Sequence, residues 1–166
     1  RINCAIVVSV PCDLTGSSKA LMQKENMAYM HRFLKSLKEK AVYKKEQFPN
    51  EKLDIEGLLD AKNFKDFDNL FTAPVNGFRD AQDYWTKNSS KPFLHAIKIP
   101  TLMVSALDDT FLSEECFPYE EAKDQQYLFL ETPKSGGHVG FNSTFYGKNG
   151  HWLEKRIFGF LSDHLK

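Results

Sequence analysis

The sequence has no excess charge of either sign, with 22 Lys and Arg against 22 Asp and Glu in 166 residues. Without a net positive field to steer a polyanion onto its surface, a nucleic-acid partner is not expected. There is no run of about 18 apolar residues, so no transmembrane segment is expected. Residues 1–10 lack the basic, then apolar, then small-residue order of a secretory leader. Cysteine is scarce: Cys4, Cys12 and Cys116 are odd in number, widely spaced and form no Cys-x-x-Cys pair. That pattern argues against a disulfide framework and a zinc site, and fits a reducing cytoplasm. The triplets Asn88-Ser89-Ser90 and Asn142-Ser143-Thr144 match the glycosylation pattern, which is common by chance and carries little weight in that compartment. Repeats and low-complexity tracts are absent too, which excludes a solenoid. What the chain does have is apolar bulk, 42% hydrophobic with 14 Phe. Each large apolar side chain contributes roughly 1.5–3 kcal/mol when buried, enough to build a core.

Ile2 to Val10 is a near-continuous apolar and β-branched run ended by Pro11, the pattern of a strand buried on both faces of a parallel sheet. From Leu14 to about Lys98 no convincing strand follows. Met27, Met30, Phe33, Leu34, Leu37 and Ala41 recur at three- and four-residue steps, predicting a helix over about 25–45 with one apolar stripe. Its Lys-rich opposite side, from Lys35 to Lys45, reads as a solvated face. Asn63 and Asp80 have the type and position of N-caps of short helices. Strand character returns at 99–106 and 127–132, and Leu153, Ile157, Phe160, Leu161 and Leu165 mark a closing amphipathic helix. The order is strand, helical insert, strand, short helix, strand, helix: an α/β pattern with a large helical excursion after its first strand.

Two places carry chemistry. Leu107-Asp108-Asp109-Thr110 lies at the carboxyl end of the second strand, where open parallel sheets place catalytic groups. Adjacent carboxylates there also suit a helix cap. Ser135-Gly136-Gly137-His138-Val139-Gly140-Phe141 follows the third strand, and its glycines permit a sharp loop from which an imidazole projects. Neighbouring parallel strands bring their carboxyl ends together, so Asp109 and His138 are expected to meet. An Asp orienting a His makes two-thirds of a nucleophilic triad. Cys116 has no basic cluster beside it and reads as a packing residue. His31, His95, His151 and His164 read as surface or packing residues.

The segments Ser105-Ala106-Leu107-Asp108-Asp109, Gly136-Gly137-His138-Val139-Gly140-Phe141 and Trp152-Leu153-Glu154-Lys155-Arg156-Ile157 resemble the C-terminal half of YheT-like α/β-hydrolases. The stretch from Phe67 to Phe78 and Asp83-Tyr84-Trp85 are similar to the same family's cap region. The resemblance implies a partial α/β-hydrolase domain over 1–166, comprising strands six to eight of the parallel sheet, with a helical cap inserted at 11–98. Ile2 to Val10 would be strand six, Thr101 to Ala106 strand seven and Tyr127 to Thr132 strand eight. It implies that Asp109 is the triad acid and His138 the base. Asp109 stands four positions before the family's usual Pro, which is Ser113 here.

A larger departure is that no Gly-x-Ser-x-Gly elbow occurs anywhere in the sequence. Ser9, Ser17, Ser18, Ser89, Ser90, Ser105, Ser113, Ser135, Ser143 and Ser162 all lack the flanking glycines. The oxyanion hole is expected to be missing with it. The reading favoured by the residues is the C-terminal part of a serine hydrolase of carboxylic-ester type, taking a small-molecule ester in the complete enzyme and needing no cofactor. This chain alone would be inactive. A second reading is a non-catalytic hydrolase-fold module that binds a partner. A third, metal-assisted hydrolysis by His138 with Asp108 or Asp109, ranks last because no close His pair accompanies them. The edge of the first strand is expected to pair with a missing N-terminal half or with a second copy.

Overall fold

The computed structural model describes residues 2–50, 53–141 and 151–165. The Asn142-Ser143-Thr144 triplet lies outside the described residues. Two compact units emerge: Arg1–Cys12 with Ser90–Lys166, and Asp13–Ser89.

The first unit is built on three parallel strands in the order β1-β2-β3: β1 (Ala5–Val8), β2 (Thr101–Val104) and β3 (Leu128–Glu131). Ala5 pairs with Thr101 and Thr101 with Leu128, so all three strands end at nearly one level. Side chains alternate between the two faces of a strand. On one face Leu102, Val104, Ala106, Phe141 and Phe160 form a core with Ile6 and Val8 packed against it. On the other, Met103 and Leu128 join Cys12 and Leu94, with Val7 and Leu130 alongside. Covered on both sides, β2 is buried at every position. Among the described residues its α-helices are α7 (Tyr119–Lys123) and α8 (Trp152–His164). Arg156 of α8 donates from Nε to Glu131 Oε1 at 2.6 Å, fastening the helix to the end of β3.

The sequence reading of the first strand needs correction. Every residue of β1 is half-buried rather than buried, and Ile2 is 73% exposed. Among the described residues β1 has a neighbour on one side only. An apolar run records which side chains avoid water, and does not record whether another strand lies beyond it. The predicted stripe of α8 is likewise narrower than expected: Phe160 is fully buried whereas Leu165 is exposed.

The second unit is helical: α1 (Leu14–Leu21), α2 (Met27–Gln47), α3 (Ile55–Leu59), α4 (Phe64–Phe67), α5 (Ala73–Val75) and α6 (Ala81–Asn88). A π-helical turn, Asp68–Thr72, joins α4 to α5. Four helices start on a carboxylate or amide that accepts from a first-turn N–H: Asp13 from Gly16, Asp54 from Gly57, Asn63 from Asp66 and Asp80 from Asp83. Each cap satisfies one of the donors a helix start leaves without a partner. Met30, Leu34 and Ala41 of the predicted α2 stripe are buried, but Met27 is half exposed. It helps line an open groove of about 1000 Å³ together with Met30, Leu34, Val42 and Leu59.

Candidate active site

The ends of the three strands in the first unit form the site. Beyond Val104 the backbone continues as Ser105, whose N–H donates to Glu131 O at 3.0 Å, and then turns at 106–109, where Asp109 N–H donates to Ala106 O at 3.2 Å. The turn sends the two adjacent carboxylates to different tasks. Asp108 is exposed and its Oδ1 accepts from the N–H groups of Gly136 and Gly137, both at 2.8 Å. It holds a loop backbone and caps no helix. Asp109 is buried, and its Oδ1 accepts from Phe111 N–H at 3.0 Å.

The remaining oxygen of Asp109 meets His138, with Nδ1 2.9 Å from Oδ2. An ionised carboxylate only accepts, so Nδ1 carries the proton and a neutral ring has its lone pair on Nε2. The environment is asymmetric: the Asp109 side chain is fully shielded, while that of His138 is 40% exposed. A buried anion is costly unless hydrogen-bonded, and both Asp109 oxygens have donors. The Phe111 ring packs against the imidazole, with centroids 4.7 Å apart and planes tilted by 41°.

The glycines of the loop answer to geometry. Gly137 has φ +58°, which glycine adopts without steric cost. Gly136 has no room for a side chain: a Cβ there would lie 2.6 Å from the Phe141 ring and 2.9 Å from Ala106 Cβ. Phe141 closes the loop by donating its N–H to Gly136 O at 2.8 Å and stacks on Trp152.

Sequence reasoning paired Asp109 with His138, and the structure places them in hydrogen-bond contact. Of the two roles open to Asp108, cap or loop ligand, the structure shows the loop ligand; the ring contact of Phe111 and the role of Ser9 were not found. The Ser9 hydroxyl, buried at the end of β1, donates to the His138 carbonyl. No local pattern marks Ser9, because its partner lies far away in sequence. The other histidines fall elsewhere: His31 in α2, His95 in a 3-10 helix over Lys91–Ala96, His151 at the start of α8 and His164 at its end, stacked on Phe160. Cys116 is buried with Leu112 and Phe117. Burial pushes the Cys12 thiol above its ordinary pKa, so it is not poised as a thiolate. Among the described residues no three or more His, Cys, Asp or Glu side chains are grouped to hold a metal ion, and no helix is long and apolar enough to cross a membrane.

Comparison with curated proteins supplies the context for this arrangement. The chain is 31% identical to the protein YheT of Escherichia coli K12, named as an esterase, over 99% of its own length and 48% of that protein's. The chain belongs to the YheT-like α/β-hydrolase family. Other members similar to it are human phospholipase ABHD3, 26% identical over 91% of this chain and 37% of that protein, and a monoacylglycerol lipase of Saccharomyces cerevisiae, 29% identical over 97% and 36%. No family model and no solved structure matches the chain. The chain spans about half or less of the length of these relatives, and its three parallel strands with their helices are a C-terminal portion of the α/β-hydrolase fold.

Proposed function

We propose that this YheT-like chain supplies the acid and base of a Ser-His-Asp triad in a carboxylic-ester hydrolase whose nucleophile lies outside these 166 residues. The observation that carries the reading is the 2.9 Å contact between a buried carboxylate and a half-exposed imidazole on one sheet edge. With Nδ1–H committed to Asp109, Nε2 of His138 accepts the proton of a serine hydroxyl as its oxygen attacks the ester carbonyl. The imidazolium then passes that proton to the departing alcohol, leaving an acyl-enzyme. In the second half His138 deprotonates water, which releases the acid and restores the serine. Asp109 stays ionised throughout and stabilises the imidazolium. The relatives named as esterase and lipases support ester chemistry for the complete protein.

The helical unit is the cap in this reading. Its groove of about 1000 Å³ is apolar along Met30, Leu34, Val42 and Leu59, which suits an acyl group, since ligand sites are mostly apolar and concave. The open edge of β1 is the place where a further strand pairs, from the nucleophile-bearing part or from a second copy.

The test compares this chain with the same chain extended at its N-terminus by the nucleophile-bearing part. The 166 residues alone should give no hydrolysis of nitrophenyl esters above background and no labelling by a fluorophosphonate, and should self-associate in sedimentation. The extended protein should gain both activities, sediment as a monomer, and lose kcat on the order of 10⁶-fold with His138→Ala. Stoichiometric serine labelling of the 166-residue chain, or activity indifferent to His138→Ala, would overturn the proposal.

A further inference from the structure

Ser9 unites three features that the triad reading leaves unused. It is buried, its hydroxyl donates to the backbone carbonyl of His138, and its φ is +53°, in the left-handed region that side chains other than those of Gly, Asn and Asp seldom visit. Among the described residues the only other non-glycine with positive φ is Phe141, at +45°, which closes the His138 loop. Backbone strain among non-glycine residues thus falls at two of the places where this loop is fastened, a distribution typical of sites whose geometry is held at a cost.

The topology makes the fastening non-trivial. β1 and β3 lie on opposite sides of β2, two strand spacings or about 10 Å apart. The chain leaving β3 must double back across the end of β2 before the His138 carbonyl can meet a residue that follows β1. Ser9 N–H still belongs to the sheet, donating to Val104 O at 2.8 Å. Its left-handed turn comes immediately after that bond and coincides with the contact of its hydroxyl to the loop. Asp108 fastens the backbone that precedes His138 through the N–H groups of Gly136 and Gly137, and the ring bond to Asp109 fixes the side chain. The His138 carbonyl is the third point, held by Ser9.

We propose that Ser9 is a positioning residue for His138: its hydroxyl holds the His138 backbone so that Nδ1 faces Asp109 and Nε2 faces the reacting group. The proposal rests on the Asp109–His138 reading and deepens it.

The experiment follows the His138 Nδ1–H proton of the 166-residue chain by NMR after histidine-selective ¹⁵N labelling, with melting curves alongside. A proton held by a carboxylate resonates downfield and exchanges slowly with water, and Asp109→Asn should abolish that signal. Ser9→Ala removes the hydroxyl and keeps the strained backbone, whereas Ser9→Gly removes the hydroxyl and relieves the strain. Both should speed exchange of the His138 proton by about five- to tenfold, the factor one hydrogen bond supplies. Ser9→Gly should melt above Ser9→Ala. A hydroxyl with a purely structural role predicts instead that Ser9→Gly leaves the His138 proton as it was, and that result overturns the proposal even if Ser9→Ala fails to fold. A parent chain whose His138 signal ignores Asp109→Asn overturns the triad reading itself, and the role of Ser9 falls with it. A protected, Asp109-dependent signal that is indifferent to both Ser9 variants overturns Ser9 alone.

Discussion

Between Asp13 and Ser89, α1, α3, α4 and α6 each start on a side chain that accepts from an N–H three residues ahead. In the sheet-bearing unit, α7 and α8 start on Pro118 and His151 with no side-chain cap, and each strand finds its partner far outside any local window, Ala5 with Thr101 and Thr101 with Leu128. Information about the helical unit is therefore local, whereas the sheet and its site are specified by distant pairs. The candidate site sits where the encoding is non-local.

The largest expected effect breaks the non-local side. Phe160 is 1% exposed and packs beneath β2 with Leu102 and Val104. Phe160→Ala should cost about 3–5 kcal/mol in denaturant unfolding, with amide exchange rising first in β1, β2 and β3. Protection surviving in those strands would show that the sheet is held by something other than this core.

A smaller effect probes the local side. Asn63→Ala removes the acceptor for Asp66 N–H and should cost about 1 kcal/mol, read as faster amide exchange confined to the helical run from Phe64 to Val75. A loss of the size expected for Phe160→Ala would mean that the cap also carries long-range structure.

The smallest effect is pH-dependent. Burial raises the Asp68 carboxyl above its ordinary value near 3.8, against the hydrogen bonds from Thr72 and Trp85 that favour its charged form. Trp85 Nε1 donates to Asp68 Oδ2 at 2.7 Å. The folded chain thus binds this proton more tightly than the unfolded one. The resulting stabilisation is present in full below the ordinary value and is lost as pH rises through the raised one. Asp68→Asn should remove that component from urea-unfolding midpoints measured across the acid range, and should remove a matching step in Trp85 fluorescence. A pH profile unchanged by Asp68→Asn would assign the titration to another group.

The same contrast explains what could be read from the sequence. Asn63 and Asp80 were recognisable as caps because donor and acceptor lie three residues apart, within any helical window. Asp109 and His138 were legible because parallel strands bring their carboxyl ends together and because the motif around His138 resembles a family's. Ser9 was not: it follows an ordinary β-branched run, and its meaning depends on a loop that returns across a neighbouring strand. The open edge of β1 was expected, but its half-burial was not, since hydrophobicity reports a tendency to avoid water and not how far other elements cover a strand.

The insertion of the helical unit is sealed twice. Lys91 N–H donates to Cys12 O at 3.1 Å within the sheet-bearing unit, and Leu14 N–H donates to Ser89 Oγ at 3.0 Å within the helical one. Entry and exit of the inserted chain therefore lie side by side. The consequence is kinetic: once the helical unit has formed, β1 and β2 are joined by a short effective loop rather than by the whole intervening chain, and the entropy of closing that loop falls accordingly. A segment long enough to make strand pairing slow becomes, when folded, the hinge pin that brings the two strands together.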